Sequence, residues 1–382
     1  MTWGWVFGGA PLLIWLYLLL GRSFFWLARE RDDRNEFYAE LDSWPSVTAI
    51  VPARNEADVL HRSLSSLLQQ NYPGRFCVVL IDDQSTDATA DAARAFGRTE
   101  RLEIVEGTPR PVGWMGKTWA MSQGVAKATA EAPPDYFWFT DADIAHAPDN
   151  LRHLVVRAEK KGLVLASLMA KLSCKTAVEH ALIPAFVFFF AMLFPFARVN
   201  NPKRKLAAAA GGCMLVQRAA LEASGGIASI RQEIIDDCAL ARQLKRQGRV
   251  WLGLTNRSQS IRPYETLSEV RQMVARSAYA QLGYSRAALA GTILGMLIVY
   301  ASAPFVALFA WDSAQIAGWT TWVLMALALQ PILRFYRLSP LWGFALPLIG
   351  AVYAIFTLDS AFQFWRGRGG MWKGRAQAMG SA

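Results

Sequence analysis

The chain begins with an uncharged apolar run and then changes to alternating short apolar and polar stretches. Residues 3–21 carry no charge and are numerous enough to cross the hydrocarbon core of a bilayer as a helix. No basic residue precedes the run and no small-residue cleavage site follows it, so we expect a retained anchor rather than a cleaved signal peptide. Positive charge follows the run, which predicts an outside N-terminus and a cytoplasmic domain. Residues 1–22 are therefore predicted to be an N-terminal transmembrane anchor.

The middle of the chain has the pattern of an α/β domain. Between residues 46 and 265, short runs rich in β-branched and aromatic residues alternate with amphipathic or polar runs of helical length. Such alternation is typical of helices packed on a largely parallel sheet. The predicted strands are Val47–Val51, Phe76–Ile81, Leu102–Val105, Tyr136–Thr140 and Leu163–Leu168.

Beyond this domain the chain becomes apolar again. Residues 266–286 are predicted to form an amphipathic interfacial helix, and residues 287–365 a membrane region with two to three spans. Three complete spans would place the basic tail, residues 366–382, outside the cell, against the positive-inside tendency. Pro347 and Gly350 interrupt the last apolar stretch, which we therefore expect to be re-entrant. The three apolar stretches are residues 287–310, 315–333 and 341–358.

One more apolar run lies inside the α/β region. Residues 182–198 are mostly apolar, but Pro184 and Pro195 bracket the run and the α/β pattern resumes after it. The run is short for a span, so we predict a shallow helix in the headgroup layer. Packing against the membrane helices is the alternative interpretation.

Composition and charge indicate a membrane protein. The chain is 53% hydrophobic and carries a formal net charge of +10. Such a charge attracts nucleic acid or anionic lipid, but many basic residues flank the apolar stretches, and no zinc-finger spacing or basic helix is present. The four cysteines are far apart without a C-x-x-C pair, which suits a reducing cytoplasm. We expect a multi-pass protein of the inner membrane with its α/β domain in the cytoplasm, and no nucleic-acid partner.

The segment Thr140-Asp141-Ala142-Asp143 directly follows an aromatic strand. In an extended segment, side chains two residues apart point the same way, so Asp141 and Asp143 can converge on a divalent cation, Mg²⁺ or Mn²⁺. Through that cation they can hold a diphosphate. A solvated turn is the ordinary alternative for such a short pattern.

Polar loops also follow the first two predicted strands. Residues 51–56 read Val-Pro-Ala-Arg-Asn-Glu, and residues 81–87 read Ile-Asp-Asp-Gln-Ser-Thr-Asp. Because the carboxyl ends of parallel strands line one crevice, these loops should meet Asp141 and Asp143 there. Helix capping would explain one residue in each loop, but not the carboxylate pairs. The pattern predicts a nucleotide site.

Two common nucleotide-binding motifs are absent. No G-x-G-x-x-G follows a strand, and residues 113–118 end in G-K-T without the first glycine and strand of a P-loop, which excludes dinucleotide oxidoreductases and P-loop ATPases. Lys117 is instead predicted to lie near donor phosphates, an ordinary helix-start lysine being the alternative. The histidines lack metal-ligand spacing and are expected at the surface or at caps: His61, His146, His153 and His180.

Taken in order, these motifs resemble the inverting, processive-type family 2 glycosyltransferases, which have a GT-A fold. The anchor placement and closing residues 371–375, Met-Trp-Lys-Gly-Arg, make the hopanoid-biosynthesis-associated branch most similar, and ceramide glucosyltransferase and carotenoid-ester glycosyltransferases are related. The fold class expected is therefore an α/β GT-A domain with transmembrane helices at both ends. The motifs are P-A-R-N-E at 52–56, D-D-Q-S-T-D at 82–87, G-K at 116–117, T-D-A-D at 140–143 and I-D-D at 235–237.

The resemblance implies roles for the donor site. Ala53, Glu56 and Asp83 would hold the uridine part of a UDP-sugar. Asp141 and Asp143 would manage the metal and the diphosphate.

The resemblance also implies a catalytic pair. Asp237 would be the general base, with Asp236 in place of the family's usual Glu. The family's [QR]-x-x-R-W motif is matched poorly by residues 272–277, which have one extra residue in the spacing and no Trp. Arg276 is accordingly a candidate diphosphate contact, with Arg271 as the second choice; a headgroup contact is the alternative.

The expected function is transfer of a sugar from a nucleotide sugar to a membrane lipid, such as a hopanoid or another polyisoprenoid. A polysaccharide synthase is the first alternative, disfavoured because few spans are available for a channel. The second is a non-catalytic membrane scaffold that binds a nucleotide sugar. The retained carboxylates argue against a scaffold, because mere binding does not require an ionised base beside a metal site.

Overall fold

The computed structural model describes residues 2–33, 41–97 and 99–370, which form two compact units. The α/β unit comprises Glu30–Ser173 and Phe196–Pro263. The helical unit comprises the residues up to Arg29, Cys174–Pro195, and those from Tyr264 onward. The segment Cys174–Pro195, predicted inside the α/β domain, thus belongs to the helical unit.

The α/β unit is built on an eight-stranded sheet in the described part of the chain, in the order β3-β2-β1-β4-β7-β6-β8-β5. The first four of these strands run parallel, β6 and β8 are also parallel, and β7 and β5 pair antiparallel with their neighbours. The predicted largely parallel sheet is therefore confirmed. The strands are β1 Val47–Ala53, β2 Phe76–Asp82, β3 Leu102–Glu106, β4 Tyr136–Phe139, β5 Ile144–His146, β6 Leu163–Lys171, β7 Met214–Gln217 and β8 Arg249–Ser260.

Three of these strands were not anticipated from the pattern. β5 and β7 have three and four residues, which is too short for a period to show. β8 is long, but its second half, from Thr255 to Ser260, is polar, so its composition does not indicate a strand.

Helices cover the sheet where their apolar residues allow close packing. In the helix Gly116–Glu131, a Cβ at Gly124 would lie 2.5 Å from Ile81 Cδ1 and 2.7 Å from Ile50 Cγ2, so the backbone rests directly on β1 and β2. This contact fixes the helix whose first turn carries Lys117. The other helices of the unit are Ala57–Leu68, Thr89–Arg94, Asn150–Lys161, Phe196–Val199, Arg218–Ala223 and Asp236–Leu244, with a 3₁₀ turn at Ile227–Ile230.

The described residues contain four stretches that are long and apolar enough to cross a membrane, judged by length and composition: residues 177–199, 286–309, 313–336 and 340–365. The N-terminal helix Thr2–Leu16 continues directly into a π turn that ends at Gly21, and its part from Gly8 to Gly21 is also apolar. The elements of the helical unit are helices Thr2–Leu16, Ala177–Leu193, Leu267–Ala275, Ala278–Gln281, Arg286–Met296, Ser302–Phe309, Asp312–Tyr336 and Leu346–Trp365, π turns Tyr17–Gly21 and Leu297–Ala301, and 3₁₀ turns Phe25–Leu27 and Pro340–Ala345.

The expected interruption in the last apolar stretch is absent. Pro347 lies in the first turn of the helix Leu346–Trp365, where proline is tolerated, and the helix continues unbroken past Gly350. Gly350 instead permits close packing, because a Cβ there would lie 2.7 Å from Tyr300 Cγ. The number of membrane crossings stays a prediction. The helix Leu346–Trp365 has no break that would support a re-entrant segment.

Two other predicted helices differ in detail. The amphipathic segment 267–284 forms two short helices, separated at Arg276 and Ser277. The apolar segment begins earlier than residue 182, because Thr176 caps the helix Ala177–Leu193 and Pro184 lies within it. An interfacial position for this helix stays a prediction.

Candidate active site

The loops after β1 and β2 meet at the carboxyl ends of the strands, as their positions in a parallel sheet require. The Asp83 backbone N–H donates to the Ala53 carbonyl at 2.8 Å, and both residues are fully buried. Arg54 donates through Nη1 to the carbonyls of Asp83 and Gln84, which ties the two loops together. The structure thus brings Ala53 and Asp83 to one edge of the sheet.

Lys117 joins the T-D-A-D segment to the later acidic pair. Its ammonium lies 2.8 Å from Asp141 Oδ1 and 3.3 Å from Asp236 Oδ2. Burial alone would lower the pKa of Lys117, but the carboxylates around it, led by Asp141 and Asp236, more than offset burial and raise that pKa. Lys117 therefore stays charged.

Asp237 is held by backbone donors in the first turn of the helix Asp236–Leu244. Its Oδ2 accepts from the Gly211 N–H at 2.9 Å and its Oδ1 from the Cys238 N–H at 2.7 Å. Desolvation and the neighbouring Asp236 raise the pKa of Asp237 to about 6, against the opposing effect of Lys117. Asp237 is thus a fixed carboxylate that is more basic than an ordinary aspartate.

Gly211 lies close to Lys117. A Cβ there would lie 3.1 Å from Lys117 Nζ, which is tighter than most such contacts, and 3.4 Å from Asp237 Oδ2, which is an ordinary van der Waals distance. A side chain at this position would therefore require a small shift of the lysine ammonium.

Arg262 is a residue of the site that the sequence did not single out. Its Nε lies 3.2 Å from Asp143 Oδ2, and its Nη2 contacts Glu56 Oε2. Burial alone would lower the pKa of Arg262, but Glu56 and Asp143 raise it. Arg262 follows β8 and is followed by Pro263, and nothing in this local pattern distinguishes it from other surface arginines.

His146 corrects another expectation, because it is neither at the surface nor a cap. Its side chain is 5% exposed, and its Nε2 lies 2.8 Å from Thr140 Oγ1, within the T-D-A-D segment. Desolvation lowers the pKa of His146 to about 3, so the ring is neutral. Its position three residues after Asp143 could have indicated that it lies near the site. An isolated histidine rarely gives such an indication.

The donor set fits a small divalent cation held together with a diphosphate. In the described residues, no group of three or more His, Cys, Asp or Glu side chains is arranged to hold a metal. Asp141 and Asp143 supply two carboxylates, and Mg²⁺ typically binds one or two carboxylates plus substrate phosphates and water. Both carboxylates already pair with cations, Asp141 with Lys117 and Asp143 with Arg262, so a metal ion would share or displace these contacts.

The two arginines proposed for the diphosphate lie in the helical unit. Arg276 follows the helix Leu267–Ala275 and is exposed. Arg271 pairs with Asp359 at 3.3 Å. A contact of Arg276 with the donor stays a prediction, and Arg271 already has an acidic partner in its own unit.

Comparisons with known proteins concern the family and the fold. Residues 48–225 match the family model for glycosyl transferase family 2. The 4,4'-diaponeurosporenoate glycosyltransferase of Staphylococcus aureus (strain USA300) is 37% identical over 99 residues, which are 26% of this chain and 24% of that protein. The chain thus matches about a quarter of the length of such curated relatives.

Among solved structures, the mannosyltransferase PcManGT from Pyrobaculum calidifontis, in complex with GDP-Man and Mn²⁺, has a TM-score of 0.57 at 19% sequence identity. The match covers 92% of this chain and 98% of that one. This likeness shows that the α/β unit has the GT-A fold. The match of residues 48–225 to the family model supports assignment to glycosyl transferase family 2.

Proposed function

We propose that the chain is an inverting glycosyltransferase that moves a sugar from a nucleotide-sugar donor to a membrane lipid. The observation that carries the proposal is the arrangement of Asp141, Lys117 and the Asp236-Asp237 pair at the carboxyl end of β4. A mostly buried cation among carboxylates, at the edge where parallel strands end, suits an anionic diphosphate and its metal ion.

The donor is assigned to the loops after β1, β2 and β4. Ala53 and Asp83 lie together and would contact the uridine part of a UDP-sugar, with Glu56 nearby in the first loop. Asp141 and Asp143 would hold Mg²⁺ or Mn²⁺ against the diphosphate. When bound, the metal would supply positive charge that stabilises the departing nucleoside diphosphate.

Asp237 is assigned as the general base. The acceptor hydroxyl oxygen attacks the anomeric carbon while the bond from that carbon to the diphosphate oxygen breaks, which inverts the configuration. The hydroxyl proton passes to the Asp237 carboxylate, and the nucleoside diphosphate leaves with the electron pair of the broken bond. Asp236 would hold Lys117 beside the leaving group, since its Oδ2 is 3.3 Å from the ammonium.

The acceptor is proposed to be a membrane lipid, a hopanoid or another polyisoprenoid. Four apolar stretches long enough to span a bilayer support membrane association. A relative that matches part of the chain is named for the glycosylation of 4,4'-diaponeurosporenoate. We propose a multi-pass protein of the inner membrane, with the catalytic unit facing the cytoplasm as the basic flanking residues favour.

The test uses the full chain in lipid nanodiscs, with radiolabelled UDP-sugars, Mn²⁺ or Mg²⁺, and an extract of membrane lipids as acceptors. A labelled lipid heavier by one hexose or N-acetylhexosamine in mass spectrometry, absent with Asp237→Asn, supports the proposal. A labelled polymer would indicate a polysaccharide synthase instead. Metal-dependent UDP binding without any turnover would indicate a non-catalytic scaffold.

A further inference from the structure

A buried polar network lies directly beneath the T-D-A-D segment. The His146 ring packs on Trp138, with 4.5 Å between ring centroids. Its Nε2 is 2.8 Å from Thr140 Oγ1, and its Nδ1 is 3.0 Å from Ser258 Oγ and 3.2 Å from Asn150 Nδ2. The network therefore joins β4, β5, β8 and the helix Asn150–Lys161.

The hydrogen positions in this network follow from its acceptors. Thr140 Oγ1 lies 2.9 Å from the Gly212 carbonyl, which can only accept, so the single hydroxyl proton points there. His146 Nε2 must then donate to the hydroxyl oxygen. A neutral imidazole carries one N–H, so Nδ1 is left as an acceptor facing the donors of Ser258 and Asn150.

Through Thr140 the network reaches the loop that holds the proposed base. Gly212 O accepts from Thr140, and the N–H of the preceding Gly211 donates to Asp237 Oδ2 at 2.9 Å. Thr140 thus connects two parts of the proposed site. The carboxylates of the T-D-A-D segment follow it directly in the chain, and the Gly211-Gly212 loop links it to Asp237.

We propose that Thr140 and His146 are positioning residues, which fix the distance between the donor-holding T-D-A-D segment and the base Asp237. This inference rests on the function proposed above. Buried imidazole imposes the direction of the Thr140 hydroxyl, and that hydroxyl anchors the Gly211-Gly212 loop. A small change in this distance should lower the rate of sugar transfer more than the donor affinity. Only transfer requires both the T-D-A-D segment and Asp237 to be correctly placed.

The kinetic experiment compares Thr140→Val, which keeps the shape but loses the hydroxyl, with Thr140→Ser, which keeps the hydroxyl. We expect Thr140→Val to lower kcat for lipid glycosylation by roughly 10- to 100-fold while donor Kd changes less than about threefold. Thr140→Ser should stay within about threefold of the native kcat. Both variants are measured in nanodiscs, with donor Kd from calorimetry in Mn²⁺.

Thr255→Val is the matched control for loss of a buried hydroxyl. Thr255 is 1% exposed in the same unit and donates to Asp32 Oδ2 at 2.6 Å, away from the proposed site residues. Thr255→Val should lower Tm and leave kcat per folded molecule unchanged. Equal losses of kcat in Thr140→Val and Thr255→Val, or rescue failure in Thr140→Ser, would overturn the positioning role.

A second measurement reads the network without using activity. The chain has only four histidines, so ¹⁵N-histidine NMR gives few signals, and that of His146 is identified by its loss in His146→Gln. We expect an Nε2–H tautomer that does not change between pH 5 and pH 8, and whose N–H signal shifts in Thr140→Val. A His146 that titrates in this range or carries its proton on Nδ1 overturns the inference, even in an active enzyme. If the NMR result is as expected but the native chain binds no nucleotide sugar, the proposed function fails, and the positioning role fails with it.

Discussion

The two carboxylates of the T-D-A-D segment face ion-pair groups that are built differently. Asp141 faces Lys117, whose side chain is 16% exposed and which also reaches Asp236 on a later helix. Asp143 faces Arg262, whose side chain is 29% exposed and which also contacts Glu56 after β1. One group therefore leads to the proposed base and the other to the donor loop.

The two carboxylates of this short motif thus belong to different parts of the proposed site. Lys117 is the more enclosed of the two cations, although its partner Asp141 is more exposed than Asp143, at 36% against 20%. Because Lys117 also reaches the acidic pair that contains the proposed base, its loss should affect stability and turnover. The loss of Arg262 should affect donor affinity more than folding. The predictions that follow separate these two groups, in order of decreasing expected effect.

The largest effect is expected at Asp237. Asp237→Asn removes the proton acceptor while nearly preserving shape, so turnover should fall by roughly 10²–10⁴. Donor affinity should stay near the native value, because the donor carboxylates are unchanged. Lipid glycosylation rates and donor calorimetry measure the two quantities. If Asp236→Asn is inactive and Asp237→Asn is active, the pair is assigned the wrong way round.

Lys117→Gln should come next, because it leaves Asp141 and Asp236 without their shared cation. We expect a loss of roughly 3 kcal/mol in unfolding free energy, at the lower end for a buried pair since the Asp141 side chain is 36% exposed. Lys127→Gln on the same helix is the control: its pair with Glu103 is more exposed, and it should cost less than about 1 kcal/mol. Denaturant titration in detergent measures both, and equal costs would contradict the expected difference.

Arg262→Gln should have a moderate effect, mostly on the donor. We expect donor affinity to weaken by about tenfold, which is about 1.4 kcal/mol, because Glu56 and Asp143 lose their common partner. Arg262→Lys should restore only part of the affinity, since an ammonium cannot reproduce the guanidinium fork. Calorimetry with a UDP-sugar and Mn²⁺ measures this. Arg94→Gln, which removes an exposed arginine paired with Asp91 and Glu106, should leave donor affinity unchanged.

The smallest effect is a shift in the pH profile. A base must be ionised, and the pKa of Asp237 is raised to about 6, so kcat/KM should fall as pH drops through that value. Asp236 is one cause of the raised pKa, so Asp236→Asn should move the acid limb to lower pH, by roughly one unit or less. The pH dependence of kcat/KM between pH 5 and pH 8, measured for the native chain and for the residual activity of Asp236→Asn, tests this shift. A limb that moves to higher pH would show that Asp236 acts on Asp237 mainly through Lys117.

Much of the architecture followed from local pattern. All five predicted strands are present within a few residues of their predicted ends, and the apolar stretches form helices. The polar loops after β1 and β2 meet, as parallel pairing requires. The interruption expected at Pro347 and Gly350 was wrong for a local reason, because Pro347 falls in a first turn, where proline does not break a helix.

The sequence by itself determined the GT-A class and most of the candidate site, since these depend on residues grouped in motifs at the ends of strands. Only the tertiary structure decided that Arg262 meets Asp143, which is 119 residues earlier, and that His146 meets Ser258 across 112 residues. These partners lie on or directly after the polar end of β8, whose residues show no apolar period. Pairing between distant strands is decided by packing of the whole sheet, and no local pattern of the chain contains it.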